Sequence, residues 1–268
     1  QQLLLQIPRG TVTTYGDLAE ALGSRQAARW VGEYLVRHPH DASCVCHRVV
    51  RSTGELGRYL GSEGEKRSRL QHERVDVDKD RVDLERFRYR NFSSRRPLAD
   101  LIAFQEDLPR RTRFVPYIDV PSSVGALDVA YESANCAVAA YVSVETASGR
   151  VDWSTTIRRA VAFPYISGML SFRESPLFLE LLARARRHGK LAEVIVVDGN
   201  GLLHPRFAGI ACQVGVLAGV RTIGVGKKLL CGSADLDDMR VDDPRPVLYR
   251  NRIVGMAVKA GPRSRPIF

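Results

Sequence analysis

Apolar residues recur at helical spacing early in the chain and at strand spacing later. In Gln26-Ala27-Ala28-Arg29-Trp30-Val31-Gly32-Glu33-Tyr34-Leu35 they fall three and four apart, which predicts a helix over residues 26–35. Ser24 stands where its hydroxyl would accept an early helix N–H. A shorter helix is predicted over residues 15–22, broken by Gly23. Two short helices about a glycine turn make a helix-turn-helix, whose second helix is the usual groove reader. Residues 74–100 are dense in charge and poor in apolar periodicity, as in a solvated connector, so the chain is divided there into segments 1–90 and 91–268. Downstream, strands are predicted over 127–131, 137–144 and 161–163, then a helix over 176–187 and a strand over 194–198, then a helix over 204–217 and a strand over 222–225. Antiparallel strands followed by βαβ units predict a mixed sheet covered by helices. The expected fold class is α/β in two domains, the first largely helical.

Composition agrees with two modest cores: 268 residues, 44% of them hydrophobic. Lys and Arg outnumber Asp and Glu 40 to 30, for a formal charge of +10, and both segments share the excess. That balance favours a polyanionic partner held through phosphates over a mere basic tail. The five cysteines, Cys44, Cys46, Cys136, Cys212 and Cys231, include no C-x-x-C pair, which argues against a disulfide framework or a zinc ribbon and for a reducing compartment. No apolar run reaches the ~20 residues of a membrane span and no signal peptide opens the chain, so the cytoplasm, in association with nucleoid DNA, is the expected location. A start at Gln1 instead of Met is expected of a fragment. Oligomeric state leaves no trace in these patterns.

Cys46 and His47 are adjacent, and Glu73 follows. A thiol attacks only as thiolate, and a histidine oriented by a carboxylate supplies the missing basicity near neutral pH. The stretch Ile7-Pro8-Arg9-Gly10-Thr11-Val12-Thr13-Thr14-Tyr15-Gly16-Asp17-Leu18-Ala19, then Ala27-Ala28-Arg29-Trp30-Val31-Gly32, then Cys46-His47-Arg48-Val49-Val50, resembles the active domain of O6-alkylguanine-DNA alkyltransferases, a winged-helix-like unit. The resemblance implies that Cys46 takes the alkyl group irreversibly, that His47 activates it through a water, and that Glu73 orients His47. It also implies that Arg29 fills the place of an extruded base, that Tyr15 rotates the 3′ phosphate, and that Arg48 belongs to the DNA-binding set. Flipping is required because the O6 substituent lies inside the stack. Four positions depart from the family pattern: Val45 replaces a proline, His38 an asparagine, Trp30 a small residue and Leu60 a small polar one. Related alkyltransferase-like proteins lack the cysteine and only bind lesions, so a lesion-sensing module is the second reading of this segment.

Three acids carry the chemistry of the second segment. Alternation puts Asp128 on the face opposite Leu127 and Val129, where a bare carboxylate is costly unless it holds a cation. Asp198 ends an apolar strand before a glycine-rich turn, where open α/β sheets gather ligands. With Glu174 they offer hard oxygen donors suited to Mg²⁺, Mn²⁺ being the alternative. Lys227 is suited to neutralise a scissile phosphate, with His204 as a helper near a second metal or the nucleophilic water. Leu127-Asp128-Val129-Ala130-Tyr131, Phe163-Pro164-Tyr165-Ile166-Ser167-Gly168-Met169-Leu170-Ser171-Phe172-Arg173-Glu174, Val197-Asp198-Gly199-Asn200-Gly201 with His204-Pro205-Arg206, and Gly224-Val225-Gly226-Lys227 resemble the motifs of endonuclease V. The resemblance implies an RNase H-like fold, metal-dependent cleavage of DNA 3′ of deoxyinosine, and a Tyr165–Ile166 wedge with backbone groups around Gly168 binding the everted base. Ser167 replaces the usual proline, and the family continues beyond a segment like Arg265-Pro266-Ile267-Phe268. Some relatives act on inosine in RNA, which stands as a third reading. The partner expected overall is single- or double-stranded DNA carrying O6-alkylguanine or deoxyinosine.

Overall fold

The computed structural model describes residues 1–40, 43–114 and 119–268. It divides into two compact units, Gln1–Ile102 and Ala103–Phe268.

The first unit runs β1 (Thr13–Thr14), α1 (Tyr15–Ala21), a 3-10 turn (Arg25–Ala27), α2 (Ala28–Arg37), a second 3-10 turn (Cys46–Arg48), β2 (Val49–Val50), α3 (Glu63–His72), β3 (Val77–Asp78), β4 (Arg81–Val82) and α4 (Leu84–Phe87). β1 and β2 pair in parallel, Thr13 beside Val49 and Thr14 beside Val50, which locks the start of α1 and the Cys46 turn to one pair of strands. Thr14 opens α1 with a capping box: Asp17 N–H donates to Thr14 Oγ1 and Thr14 N–H to Asp17 Oδ2, both at 3.1 Å. Gly23 ends the turn after α1 at φ +104, and a Cβ there would meet Ala99 N at 2.5 Å, so no other residue fits. The expected cap at Ser24 is not formed; the helix there opens with a 3-10 turn and the Ser24 side chain caps nothing.

Residues 74–96 are not a connector. Val75, Val82 and Phe87 enter the same core as Val12, Val50 and Leu70. Tyr89 N–H donates to Val12 O at 2.7 Å. Arg88 grips Asp17 with two bonds, Nη2 to Oδ1 at 2.8 Å and Nε to Oδ2 at 2.9 Å. Charge that reads as solvation is here partly pairing, so the division falls at Ile102/Ala103, inside α5 (Pro97–Arg111), and not at residue 90.

The second unit holds β5 (Ser123–Ser133), β6 (Cys136–Glu145), β7 (Val151–Ala160), α6 (Leu170–Arg187), β8 (Val194–Asp198), α7 (Ile210–Ala218), β9 (Arg221–Val225) and a hairpin of β10 (Arg245–Tyr249) and β11 (Arg252–Ala257). Five strands form the mixed sheet in the order β7-β6-β5-β8-β9. The pairs β7–β6 and β6–β5 are antiparallel, and β5–β8 and β8–β9 are parallel. Leu127, Tyr141 and Ile195 from the sheet pack with Phe178, Leu181 and Val214 from α6 and α7.

Three expectations shift. The third strand is Val151–Ala160, not residues 161–163; it is an edge strand with exposed Arg158 and Arg159, and its polar alternation hides it. α6 begins six residues before Pro176, because the Arg173 guanidinium donates to Phe163 O and, at 2.7 Å, to Ala134 O and anchors that first turn. α7 begins at Ile210 and not at residue 204, since Phe207 sits at φ +55 and interrupts a helix there. Among the described residues no helix is long and apolar enough to cross a membrane.

The Arg88–Asp17 pair is mostly shielded, with side chains 21% and 12% exposed. Arg88→Ala strands a hydrogen-bonding carboxylate and is expected to destabilise the first unit by about 1–3 kcal/mol. Urea unfolding in a Trp153→Phe background, where Trp30 alone reports the first unit, measures it. An unchanged midpoint would mean that the Arg88–Asp17 pair adds nothing to the first unit's stability.

Candidate active sites

In the first unit the side chains of Cys46 and His47 are both buried in the 3-10 turn before β2. Glu73, at the C-terminal end of α3, reaches back to this turn. His47 Nε2 lies 2.9 Å from Glu73 Oε1, and Arg48 donates from Nη2 to Oε1 at 2.7 Å and from Nε to Oε2 at 2.8 Å. Burial pushes the Glu73 carboxyl up, but the bonds and charges of Arg48 and His47 outweigh it and hold the group at about 2. Burial also lowers the His47 pKa, against the pull of Glu73. His47 is therefore a neutral imidazole at neutral pH. With Nε2–H donated to a carboxylate, its lone pair is on Nδ1, which is buried without a partner among the described residues. That orphaned nitrogen is the position for a base or for the water through which it acts.

Burial pushes the Cys46 thiol up to about 12; the hydrogen bond and charge of Cys44 add to this, and Lys66 and Arg69 pull the other way. Lys66, which sequence reading missed, is fully buried, donates to Val49 O at 2.6 Å and to Leu56 O, and is brought down to about 8 by burial. A cation on a helix with no apolar neighbours in sequence gives no sign that it will point inward.

Arg48, expected on the DNA-binding side, is turned inward: beyond Glu73 it donates to Ile7 O at 2.7 Å and is 12% exposed. Its guanidinium serves the carboxylate. Arg29 is 89% exposed on α2, bonded to Glu33 at 3.3 Å, an exposed i,i+4 pair it can exchange for another partner. Tyr15 is half-buried and donates to Arg58 O at 3.2 Å; its pKa is raised by burial.

The second site is set by strand register. Leu127 of β5 lies beside Val197 of β8 in a parallel pair, so the next residues, Asp128 and Asp198, come abreast one step beyond the last paired rung. Asp198 in turn faces Val225 of β9, two residues before Lys227. Lys227 Nζ bonds Asp198 Oδ2 at 2.8 Å with its own side chain 78% exposed. Asp128 is exposed and accepts only from Val129 N–H, at 2.8 Å. Glu174, in the second turn of α6, is buried and takes a 2.9 Å bond from Tyr131 O–H. Burial pushes Glu174 up to about 7; Tyr131 and Arg173 oppose the rise, and the charges of Asp198 and Asp128 add to it. A buried Glu174 carboxyl raised by two neighbouring acids marks a donor set short of positive charge, and the hard oxygens of the three fit a divalent cation. Tyr131 was within a quoted motif but carried no expected role; here it orients Glu174, and Arg173 stacks 4.5 Å from its ring centre.

Other expected residues fall elsewhere. His204 is buried, its Nδ1 accepts from Arg206 N–H at 3.2 Å and its ring also bonds the Gly168 backbone, so it braces a turn and offers no free nitrogen to a water or metal. Burial, then the charge of Arg206, lowers its pKa to about 4. Of the expected wedge, Tyr165 is 64% exposed while Ile166 is 2% exposed and belongs to the core. Gly168 takes φ +74, which a side chain would resist, and its carbonyl accepts from Arg206 Nη1 at 3.2 Å.

Comparison with known proteins gives two family matches. The endonuclease V family model matches residues 106–268, and the 6-O-methylguanine DNA methyltransferase, DNA binding domain, matches residues 1–75. A bifunctional methyltransferase/endonuclease of Picrophilus torridus is 39% identical over 234 residues, covering 86% of this chain and 74% of the relative. Among solved structures, the catalytic domain of human endonuclease V is 28% identical with a TM-score of 0.60, over 65% of this chain and 81% of that one. Endonuclease V of Ciona intestinalis, solved with a 24mer DNA containing an inosine followed by a ribo-adenosine, is 26% identical with a TM-score of 0.56, over 64% of this chain and 81% of that one.

Glu73 makes the first unit's stability depend on acid. Its carboxyl is held near 2 in the fold against an ordinary 4.5, so the stability it contributes is full above about pH 4.5 and is lost as pH falls towards 2. The gap in urea midpoint between the native chain and Glu73→Gln is expected to be widest above pH 5 and to close on acidification. A gap constant from about pH 6 to pH 2.5 would mean that Glu73 is not the paired anion.

Proposed function

This chain belongs to the bifunctional methyltransferase/endonuclease family of DNA-repair enzymes, and on that premise we propose that it moves the alkyl group of O6-alkylguanine onto Cys46 and cuts DNA 3′ of deoxyinosine with its second unit. The first activity is supported by the Cys46-His47-Arg48 turn with Glu73 behind it. Cys46 Sγ attacks the alkyl carbon as the carbon–O6 bond breaks, and the electron pair stays with the guanine oxygen. The thiol proton leaves towards His47 Nδ1 through a water; Glu73 holds the ring and Arg48 holds Glu73. Exposed Arg29 fills the stack when the base is flipped, and Tyr15 bears on the phosphate next to it.

The single observation that carries the second activity is the in-register placement of Asp128 beside Asp198, with buried Glu174 near both. Asp128, Asp198 and Glu174 would hold Mg²⁺, or Mn²⁺, which when bound supplies an acidified water and neutralises the leaving 3′ oxygen. Tyr131 fixes Glu174, Lys227 exchanges its bond to Asp198 for the scissile phosphate, and exposed Tyr165 wedges the lesion's flank while the Gly168 turn receives the everted base. Such a protein works in the cytoplasm on nucleoid DNA. A second reading, in which the first unit senses alkyl lesions without transferring the group, is favoured by one observation: burial drives the Cys46 thiol up to about 12, which works against the thiolate.

Methyl label moving stoichiometrically from O6-methylguanine DNA to the protein decides between the two, and Cys46→Ala is expected to abolish it while leaving inosine cleavage intact. Tight binding without label supports the sensor.

Asp128→Ala and Asp198→Ala are each expected to lower Mg²⁺-dependent cleavage by roughly three or more orders of magnitude, as does EDTA, with far smaller effects on binding to inosine DNA in a gel shift. Near-native cleavage by either variant at saturating protein would remove that residue from the site.

A further inference from the structure

Cys46 has neighbours that neither proposed activity uses. His38, the residue that ends α2, together with His40, Cys44 and Cys46, places four ligand atoms within 4.8 Å of one another. His38 Nε2 is 3.0 Å from Cys44 Sγ, and His40 Nδ1 is 3.5 Å from Cys46 Sγ. That spacing holds for every pair in the set, so the two sulfurs adjoin too. Residues 41 and 42 lie outside the described residues. Among the described residues this is the group of His, Cys, Asp and Glu drawn together in that way; the carboxylates of the second unit are not gathered so closely.

Both imidazoles already have the second bond that metal-binding histidines use. His38 Nδ1 lies 2.8 Å from Leu35 O, a pure acceptor, so Nδ1 carries the proton and the Nε2 lone pair faces Cys44. His40 Nε2 lies 3.2 Å from the Tyr59 hydroxyl; donating there leaves the Nδ1 lone pair facing Cys46. A tetrahedral ion with metal–sulfur and metal–nitrogen bonds near 2.3 and 2.0 Å needs ligand atoms about 3.3–3.8 Å apart, and the set is within a small adjustment of that spacing.

We propose that these four side chains bind one zinc-class divalent ion in the first unit, with Cys46 as one of its thiolates. Two thiolates and two imidazoles select a borderline-soft tetrahedral ion over Mg²⁺. On binding, Cys44 and Cys46 each release a proton to solvent, and two negative sulfurs balance the ion's two charges, so a neutral group occupies the buried pocket. The assignment stands on these four side chains and not on the alkyl-transfer reading; a chain that binds the ion and transfers no methyl group upholds the one and overturns the other.

The test is Co²⁺ titration of the reduced, chelator-stripped full chain. One Co²⁺ per chain is expected to produce thiolate-to-cobalt charge-transfer absorption with intense tetrahedral ligand-field bands, which Zn²⁺ then displaces; carboxylate-bound cobalt is silent in the charge-transfer region. Cys46→Ala is expected to cut the charge-transfer intensity about in half, since one of two sulfurs is lost. Tyr59→Phe, which removes only the outer hydrogen bond on His40, is expected to weaken binding about 10-fold, and Cys44→Ser and His38→Asn by more. Circular dichroism confirms that each variant is folded, and Tyr59→Phe keeps the test informative if a ligand variant is not. Absence of the charge-transfer band in the native chain, or a band unchanged in Cys44→Ser and Cys46→Ala, overturns the site.

Discussion

A carboxylate removed from water destabilises a fold by several kcal/mol unless positive charge goes with it, and the two units answer that constraint in opposite ways. In the first, Glu73 is packed against Arg48 and His47, and their bonds bring it down to about 2. In the second, Glu174 is buried beside two further acids with only Tyr131 to bond it and Arg173 nearby, and it rises to about 7. The first arrangement is electrostatically closed: its anion is spent on holding an imidazole in one tautomer. The second is electrostatically open, its acids short of positive charge. A fixed imidazole and an uncompensated acidic cluster thus follow from how the same chemical group is buried.

The open site depends on geometry that one-residue slips would destroy. A shift in the β5–β8 pairing would turn Asp128 to the other face and separate it from Asp198. The apolar residues Leu127, Ile195 and Val197 make that slip expensive, because each would leave the core in the same move. The alignment of the two acids is therefore maintained by packing residues that lie outside the acidic cluster. This explains why the acids were legible from the sequence: alternation around Asp128 and the apolar run ending at Asp198 are core signals first and site signals second.

Legibility ended where an interaction crosses many residues without leaving a period. Strands β5, β6 and β8 announce themselves by spacing, but nothing in residues 74–96 shows that Arg88 will find Asp17, so a packed segment reads as linker. Arg48 follows a histidine in a motif resembling a DNA-binding one, yet its partner is 25 residues on, and only the fold reveals that the guanidinium points inward. His204 and Ile166 fail for a related reason. A histidine near acids and an aliphatic residue beside an exposed tyrosine are each compatible with a site, and burial decides both against it. Local patterning carries elements and cores, whereas the direction of a long polar side chain is a tertiary property.

The most consequential of these tertiary properties concerns His38. By resemblance an asparagine is expected there, and in sequence the substitution reads as a defect in support for the Cys46 turn. In the fold its ring is buried, anchored through Nδ1 to Leu35, and aimed by Nε2 at Cys44. An asparagine could supply the hydrogen bonds but not the soft, neutral nitrogen donor. His40 is paired in the same manner with Cys46, its Nδ1 facing the sulfur, so His38 is one of a consistent set of four and not an isolated replacement. That consistency bears on the central difficulty of the first site, a thiol whose burial opposes its own ionisation. A neutral His47 has limited power to remove a proton from a thiol held so high. A buried thiolate needs a counter-charge as surely as a buried carboxylate does, and the charges of Lys66 and Arg69 offset only part of what burial costs it. An ion held by His38, His40 and Cys44 would supply that charge at the sulfur itself, where Coulomb attraction is strongest.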